Sequence, residues 1–287
     1  MDAIDSARTS RTALSVALRR AAHQIYDAGP LVFDDPIAVK ILGPHAELLQ
    51  RTPGRNPAYK PRPHSISMRA LLVARSRYAE DRLAQAAVHG VTQYVLLGAG
   101  LDTFAHRNPY AQMHVIEVDH PATQAWKQEL LRDAGVPCPA RLTYAPVDFE
   151  RQSLAGQLVV AGFDRTAPSL FAWLGVVPYL TRDAFRATIK FIVAQPRGSG
   201  VVFDYSLPRT ALAPNEQLQR DSLAARVQLA GEDFRSFFTP DEIAAELRGF
   251  HAMEDLCSEQ INALYFAGRT DTLRLHGNAE HFVSAWI

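Results

Sequence analysis

The pattern of hydrophobic positions changes near residue 90. Before that point apolar residues recur three and four positions apart, for example over residues 13–21 and 71–83, which predicts amphipathic helices. After it, short apolar or β-branched runs alternate with helical segments. We therefore expect a helical N-terminal cap over residues 1–90 and an α/β core over residues 91–287.

Five runs in the second part have the composition of buried parallel strands, apolar on both faces. They are QYVLLGAG (93–100), MHVIEVDH (113–120), RLTYAPVDF (141–149), SLFAWLGVV (169–177) and GVVFDYS (200–206). Helical segments fit between them, one over 122–135 that ends at Gly135 and one over 181–195 that Thr181 can cap. This alternation predicts an α/β fold with an open, doubly wound, mostly parallel sheet.

The C-terminal part has a different pattern. A short capped helix is expected over 239–250, followed by the strands HAMEDL and HFVSAWI with a polar link between them. These two strands predict a late antiparallel hairpin at the edge of the sheet. Residues 207–238 are too long for a simple connector. They either add a helix over the pocket or serve packing and self-association.

A Pro-rich, basic stretch at residues 52–64 is unsuited to regular structure. Two interpretations stay open for it, a solvated connector and a mobile lid over a pocket.

Composition excludes several classes of protein. Thirty basic residues balance thirty acidic ones, so the chain lacks the charge excess of a binder of nucleic acid or of anionic membranes. Cys138 and Cys257 lie far apart without partners at metal-ligand spacing, and we expect no metal and no disulfide framework. The longest apolar stretch, residues 170–180, is too short to cross a membrane, and the first residues lack a secretory signal. We expect a soluble, cytoplasmic protein.

The first candidate site follows the first strand. Open parallel sheets bind ligands beyond the carboxyl ends of their strands. There the sequence reads Gly98-Ala99-Gly100-Leu101-Asp102-Thr103, and its two glycines let the backbone turn and approach a ligand closely. The third glycine of a dinucleotide fingerprint is replaced by Thr103. On its own this motif equally suits a tight turn that binds nothing.

The next two strand ends carry acids. Glu117 and Asp119 follow about 20 positions after the glycines, where a carboxylate can accept both hydroxyls of an adenosine ribose. Asp148 can accept from an adenine amino group while Phe149 packs on the ring. Three strand ends in this order predict a cofactor that contains adenosine.

The glycine turn favours S-adenosyl-L-methionine over a nicotinamide dinucleotide. The carboxylate of Asp102 would repel a diphosphate, whereas it attracts a sulfonium or an ammonium group. The methionine carboxylate then needs a cation, and Arg75 and Arg77 on the preceding helix are the candidates.

At this point a family resemblance can be stated. The segments that carry it are SARTSRTA, VFDDPIA, RSRYAEDRL, YVLLGAGLDTFAHR, VIEVDHPATQAWK, PVDFE, WLGVVPYLT and VVFDYS. Together they resemble the leucine carboxyl methyltransferase superfamily, and within it a bacterial branch of S-adenosyl-L-methionine-dependent methyltransferases. The resemblance implies a class I methyltransferase fold, Rossmann-like with an N-terminal helical cap, and methyl transfer to an oxygen.

The resemblance also implies roles for individual positions. Arg75 would bind the methionine carboxylate, and Gly98, Ala99, Gly100 and Asp102 would line the amino-acid and ribose portion. Asp119 would accept the ribose hydroxyls with Glu117 behind it, and Asp148 and Phe149 would frame the adenine. Leu174 departs from the acidic residue of the protein-methylating relatives. This departure weakens any transfer of their protein substrate to this chain and favours a small molecule over a protein C-terminal carboxylate.

We thus expect an O-methyltransferase that acts on a small-molecule carboxylate or hydroxyl. A carboxylate acceptor needs no base, whereas an alcohol or phenol does. His106, His120 and Tyr205 are the weak candidates for that base. Phe234, Phe237, Phe238 and Tyr59 are candidates for an apolar acceptor pocket.

Two alternatives remain at this stage. The chain could bind the cofactor without transferring methyl, as a regulator or a repurposed enzyme, or it could be an NAD(P)-dependent oxidoreductase. The sequence leaves the identity of the acceptor and a homo-oligomeric state open.

Overall fold

A computed structural model of the chain describes residues 11–50, 63–147, 153–228 and 233–287. The strands are β1 (Gln93–Leu97), β2 (His114–Asp119), β3 (Leu142–Pro146), β4 (Ser169–Trp173), β5 (Gly200–Ser206), β6 (Ala252–Leu256) and β7 (Glu280–Trp286). The α-helices are α1 (Arg11–Tyr26), α2 (Glu47–Gln50), α3 (Pro63–Val88), α4 (Pro121–Asp133), α5 (Leu154–Val160), α6 (Arg182–Val193), α7 (Pro214–Gln228), α8 (Pro240–Glu246) and α9 (Ser258–Tyr265). Short 3-10 helices occupy Lys40–Ala46, Phe104–His106, Val177–Tyr179 and Arg209–Ala211.

The strands form one sheet in the order β3-β2-β1-β4-β5-β7-β6. The pairs among β1 to β5 are parallel, and β7 runs antiparallel to both β5 and β6. Chain order reverses between β1 and β4, which places the switch point of the sheet there. The α/β fold, the mostly parallel sheet and the late antiparallel pair are confirmed.

Each face of the sheet is covered by a helical layer. On one face α3 packs on β4, β5 and β7, and its residues Val73, Tyr78 and Leu83 share a cluster with Val202. On the other face Phe185 of α6 belongs to the cluster around the central strands. Every side chain of β1 and β5 is buried, as a parallel strand between two layers requires.

Helix starts agree with the sequence signals. The Thr181 side chain accepts a hydrogen bond from the Ala184 amide, and Thr239 forms a capping box with Glu242. Helix α4 ends at Asp133, shortly before Gly135. The helix boundaries predicted from Thr181, Thr239 and Gly135 therefore lie close to the observed ones.

Two element predictions were wrong in detail. The polar link expected between the last two strands contains helix α9, whose start is capped by Cys257 and Gln260. The strand expected over 169–177 stops at Trp173, because Gly175 adopts a φ of 68° and turns the chain. The predicted hairpin strands do pair, with β7 lying between β5 and β6.

The segment 207–238 contains helix α7, and its role over the pocket or in packing and self-association stays a prediction. Residues 52–62 of the Pro-rich stretch lie outside the described residues, and Pro63 begins α3. Within the part of the chain that the structure describes, no helix is both long and apolar enough to cross a membrane.

Candidate active site

The glycine turn after β1 lies at the switch point of the sheet. The amides of Gly98 and Ala99 both donate to the Val118 carbonyl of β2, at 2.8 and 3.1 Å. Gly98 has a φ of 71°, and a Cβ at this position would lie 2.5 Å from Cγ2 of Val176. Only glycine therefore satisfies both the backbone conformation and the close approach of the segment that follows β4.

Asp119 lies beside this turn at the end of β2. Its Oδ2 accepts from the Gly100 amide at 2.6 Å, and its Oδ1 accepts from the His120 amide at 2.6 Å. Burial raises the pKa of the Asp119 carboxyl, and the two amides oppose that rise. Each oxygen keeps lone pairs that can accept from further donors.

Glu117 lies behind Asp119, where the resemblance places it, but it faces the interior. The residue is fully buried, its Oε2 lies 2.5 Å from Nζ of Lys127 on α4, and its Oε1 has no hydrogen-bond partner. Burial raises the pKa of the Glu117 carboxyl to about 7. Glu117 thus contacts the layer beneath the site, while Asp119 lies at the edge where a ligand can bind.

Asp102 and Thr103 connect the turn to the N-terminal helix. Asp102 Oδ1 accepts from the Phe104 amide at 2.7 Å, and its Oδ2 lies 3.5 Å from Nη1 of Arg20. Thr103 is fully buried, accepts from Arg20 Nη2 at 2.6 Å and donates to Asp35 Oδ2 at 2.7 Å. The position of the missing third glycine therefore holds a buried hydroxyl that is bonded on both sides.

The Thr103 hydroxyl belongs to a larger buried network of ion pairs and hydrogen bonds. Asp35 pairs with Arg20, lies 3.5 Å from Nε of Arg107, and caps the following turn by accepting from two amides. Burial alone would raise the pKa of Asp35, but Arg20 and Arg107 hold it below its ordinary value. A Cβ at Gly100 would lie 3.2 Å from the Cβ of Ala13, so α1 lies directly against the turn.

Arg75 lies at the carboxyl ends of β4 and β5. Its Nη1 donates to Asp204 Oδ2 at 3.1 Å, and the Gly175 amide donates to Asp204 Oδ1 at 2.5 Å. A Cβ at Gly175 would lie 2.5 Å from Nη1 of Arg75, so the guanidinium lies close over this backbone. Arg77 instead is exposed and pairs with Asp81 at 2.7 Å. Of the two candidate arginines, Arg75 is the one at the site.

Asp204 was missed by the sequence analysis. It is buried in an otherwise apolar strand, VVFDYS, and such an isolated acid in a buried run was the available signal. Leu174, where the protein-methylating relatives are expected to have an acid, packs against the apolar cluster on the α3 face. The carboxylate near Leu174 is that of Asp204 on the neighbouring strand β5.

The three candidate bases lie in different surroundings. His120 is exposed and caps α4, accepting from the Ala122 amide at 3.2 Å. His106 lies 3.1 Å from the Pro137 carbonyl, and burial lowers its pKa. Tyr205 is fully buried and donates to Asp255 Oδ2 at 2.7 Å, and burial raises its pKa. None of these three side chains has a hydrogen bond to the Arg75–Asp204 pair.

The predicted aromatic residues divide into two groups. Phe234 contacts Tyr179 and Phe237, with ring centroids 5.2 and 6.3 Å apart, and these rings follow the ends of β4 and β5. Phe238 was predicted wrongly as a pocket residue, because it is fully buried and packs on Phe185 in the core. Three other candidates lie outside the described residues: Tyr59, Asp148 and Phe149.

The donor groups around the turn fit S-adenosyl-L-methionine. A guanidinium, Arg75, matches the methionine carboxylate. The carboxylates of Asp204 and Asp102 match the ammonium and sulfonium charges, and Asp119 matches the ribose diol. Among residues 11–50, 63–147, 153–228 and 233–287, no group of three or more metal-ligating side chains is assembled.

The sheet order, the helical cap and the turn at the switch point define the class I methyltransferase fold. Two solved structures share it. A candidate methyltransferase of Thermobifida fusca YX has a TM-score of 0.56 at 15% identity, covering 98% of this chain and 96% of that chain. A DUF574 family protein of Streptomyces avermitilis MA-4680 has a TM-score of 0.53 at 17% identity, covering 95% and 96%.

Sequence comparison gives the family. The model of the leucine carboxyl methyltransferase family matches residues 13–193, and the chain belongs to this family. The candidate S-adenosyl-L-methionine-dependent methyltransferase YktD of Bacillus subtilis (strain 168) is 33% identical over 92% of this chain and 94% of its own. A similarly described protein of Mycobacterium ulcerans (strain Agy99) is 32% identical over 78% and 74%. The chain is therefore an S-adenosyl-L-methionine-dependent methyltransferase, as the resemblance indicated.

Proposed function

We propose that this methyltransferase acts on an oxygen of a small molecule, either a carboxylate or a hydroxyl. The observation that carries the proposal is the Arg75–Asp204 pair over Gly175, because its guanidinium suits the methionine carboxylate and the pair lies beside the segments that bear aromatic rings. When bound, the cofactor supplies an electrophilic methyl group on a sulfonium.

The residues of the turn bind and orient the cofactor in this proposal. Arg75 binds the methionine carboxylate and keeps its orientation through Asp204. Asp119, already fixed by two backbone amides, accepts the ribose hydroxyls. Asp102 adds negative charge near the sulfonium. Asp148 and Phe149 complete the adenine end, as the resemblance implies.

The acceptor enters from the side of Tyr179, Phe234 and Phe237. A partly buried apolar wall of this kind excludes water and holds a small acceptor in line with the methyl group, which is the main requirement of a displacement at carbon. Leu174 removes the acid of the protein-methylating relatives. This departure supports a small molecule over a protein terminus.

The test combines binding with an acceptor screen. Calorimetric titration with S-adenosyl-L-methionine, S-adenosylhomocysteine and NADPH should show binding of the first two alone. Formation of S-adenosylhomocysteine is then measured with matched sets of carboxylic acids, alcohols, phenols, amines and thiols. Methylation of oxygen acceptors supports the proposal, and methylation confined to amines or thiols contradicts it. Binding of the cofactor without methyl transfer to any of these classes of acceptor indicates a family member that has lost catalysis.

A further inference from the structure

Glu280 lies just beyond the Arg75–Asp204 pair, at the carboxyl end of β5. It is the first residue of β7 and lies opposite Ser206, the last residue of β5. The Ser206 Oγ lies 2.8 and 2.7 Å from the two oxygens of the Glu280 carboxylate and donates to it. Since alternate residues of a strand share a face, Ser206 and Asp204 point the same way, about 7 Å apart along β5.

Arg220, the cation within 4 Å of Glu280 among the described residues, is largely committed to other partners. Arg220 on α7 donates to the backbone carbonyls of Leu207 and Ala279, and its Nη2 stays 3.8 Å from Glu280 Oε1. The same guanidinium lies 5.0 Å above the ring of Phe237. The Glu280 side chain is 22% exposed, so it is neither sealed in the core nor held in a close ion pair.

Burial raises the pKa of the Glu280 carboxyl to about 7, and Asp204 adds to that rise. Arg220, the Ser206 hydroxyl and Arg75 oppose it. These groups belong to the elements that surround the carboxyl, namely α7, β5 and α3. A carboxylate in such surroundings exchanges a proton near neutral pH, the range in which a general base is most effective.

Building on the proposed function, we propose that Glu280 is the proton acceptor for a hydroxyl substrate, and that the substrate is a phenol or enol and not a carboxylate. Asp204 is neutralised by its close pair with Arg75, whereas Glu280 lacks a close ion pair, and its negative charge disfavours an anionic acceptor beside it. The rings of Tyr179, Phe234 and Phe237 provide surface for a flat, unsaturated acceptor.

The chemical step balances with these groups alone. The acceptor O–H bond breaks and its proton passes to an oxygen of Glu280. The acceptor oxygen forms a bond to the methyl carbon, and the carbon–sulfur bond breaks with its electron pair left on sulfur. The products are a methyl ether, S-adenosylhomocysteine and a protonated Glu280, which returns its proton to water.

The test uses two flat para-substituted methylbenzenes of different charge, 4-methylphenol and 4-methylbenzoate. Calorimetry measures their affinity for the protein loaded with S-adenosylhomocysteine at about pH 8, where the phenol is neutral and the benzoate ionised. The variant is Glu280→Gln. The control is Glu246→Gln, which removes a carboxylate that pairs with Arg186 at the surface. Affinity for S-adenosylhomocysteine is measured first in each protein.

Wild type and control should bind 4-methylphenol about tenfold or more tightly than 4-methylbenzoate, a difference of about 1.4 kcal/mol. Glu280→Gln should reduce that preference to roughly threefold or less, by admitting the benzoate. Methylation of 4-methylphenol should be about 100-fold slower in Glu280→Gln. The wild-type rate should rise as pH passes about 7, and the variant should lack this rise.

Three results overturn the inference: preference for the benzoate in wild type, an unchanged preference in Glu280→Gln, or binding of neither probe. Failure of the proposed function is distinguishable from these. It appears as lost affinity for S-adenosylhomocysteine, or as methyl transfer to amines or thiols by wild type.

Discussion

Arg75 and Asp204 form an ion pair in the site, with Nη1 3.1 Å from Oδ2, although 129 residues separate them in the chain. The pair joins α3 to β5, and the Gly175 amide completes it from the segment after β4. The two side chains therefore join the packing of α3 on the sheet to the proposed methionine end of the cofactor site.

The first prediction concerns the two arginines of α3. Arg75→Ala should weaken binding of S-adenosylhomocysteine by about 1.5–3 kcal/mol, the usual contribution of a hydrogen bond to a charged group. Arg77→Ala is the matched control, because Arg77 pairs with Asp81 at the surface. Calorimetry measures the dissociation constant of S-adenosylhomocysteine for each variant. A larger loss of affinity in Arg77→Ala than in Arg75→Ala would show that Arg75 has been assigned wrongly.

Asp119 is expected to carry the ribose contact. Asp119→Ala should weaken S-adenosylhomocysteine by about 1.5–3 kcal/mol, because two charge-assisted hydrogen bonds to the ribose are lost. The exposed Asp164, which bonds to Thr166, provides the control Asp164→Ala. An equal affinity in Asp119→Ala and wild type would remove Asp119 from the cofactor site.

The glycine turn should tolerate no side chain. Gly98→Ala places a methyl group against Val176 at a φ of 71°, whereas a Cβ at Gly162, where φ is 79°, would have no neighbour within 4 Å. Gly162→Ala should cost about 1–2 kcal/mol of unfolding free energy from backbone strain alone. Gly98→Ala should cost about 1–3 kcal/mol more through overpacking. Urea unfolding measures both, and equal losses would contradict the close contact.

Asp35 should be essential for the stability of the N-terminal region. Asp35→Asn leaves Arg20 buried without its counter-charge and should cost about 3–5 kcal/mol of unfolding free energy. Asp81→Asn removes the partly exposed partner of Arg77, keeps an oxygen that can accept from the Tyr265 hydroxyl, and should cost about 1 kcal/mol or less. Denaturant unfolding of both variants gives the comparison, and a small loss in Asp35→Asn would show that the buried network adds little.

The buried Arg20–Asp35 ion pair stabilises the fold in a way that depends on pH. Because the pKa of Asp35 is lower in the folded state than in the unfolded state, its stabilisation is complete above the ordinary value of 3.8. It is lost as the pH falls through the folded value. Wild type should therefore lose more stability on acidification than Asp35→Asn, and parallel acid profiles would contradict the lowered pKa.

Local chemistry explains the parts of the fold that could be predicted from sequence. Thr181 and Thr239 cap helices through hydroxyls that accept hydrogen bonds from first-turn amides. The sequences of β1 and β5 are apolar on both faces, which is typical of strands buried between two layers. Helix α9 was missed because its first residue is capped by Cys257, whose thiol is not among the usual capping groups.

Much of the predictable part of the site lies at the ends of consecutive parallel strands. Gly98, Gly100 and Asp119 meet because β1 and β2 are neighbours, and the order of the sequence already implies this. Asp204 and Glu280 come from strands that run in opposite directions. Their proximity depends on the register of an antiparallel pair whose strands are far apart in the chain, which no local pattern specifies.

The position of β7 also orders the assembly of the molecule. β7 follows both β5 and β6 in the chain yet lies between them, so during synthesis these two strands have open edges until β7 emerges. The glycine turn and Asp119 belong to the parallel half, which is synthesised earlier. A nascent chain therefore contains the residues proposed for the nucleoside before it contains Glu280. The proposed sites for cofactor and acceptor are thus completed at different points of synthesis.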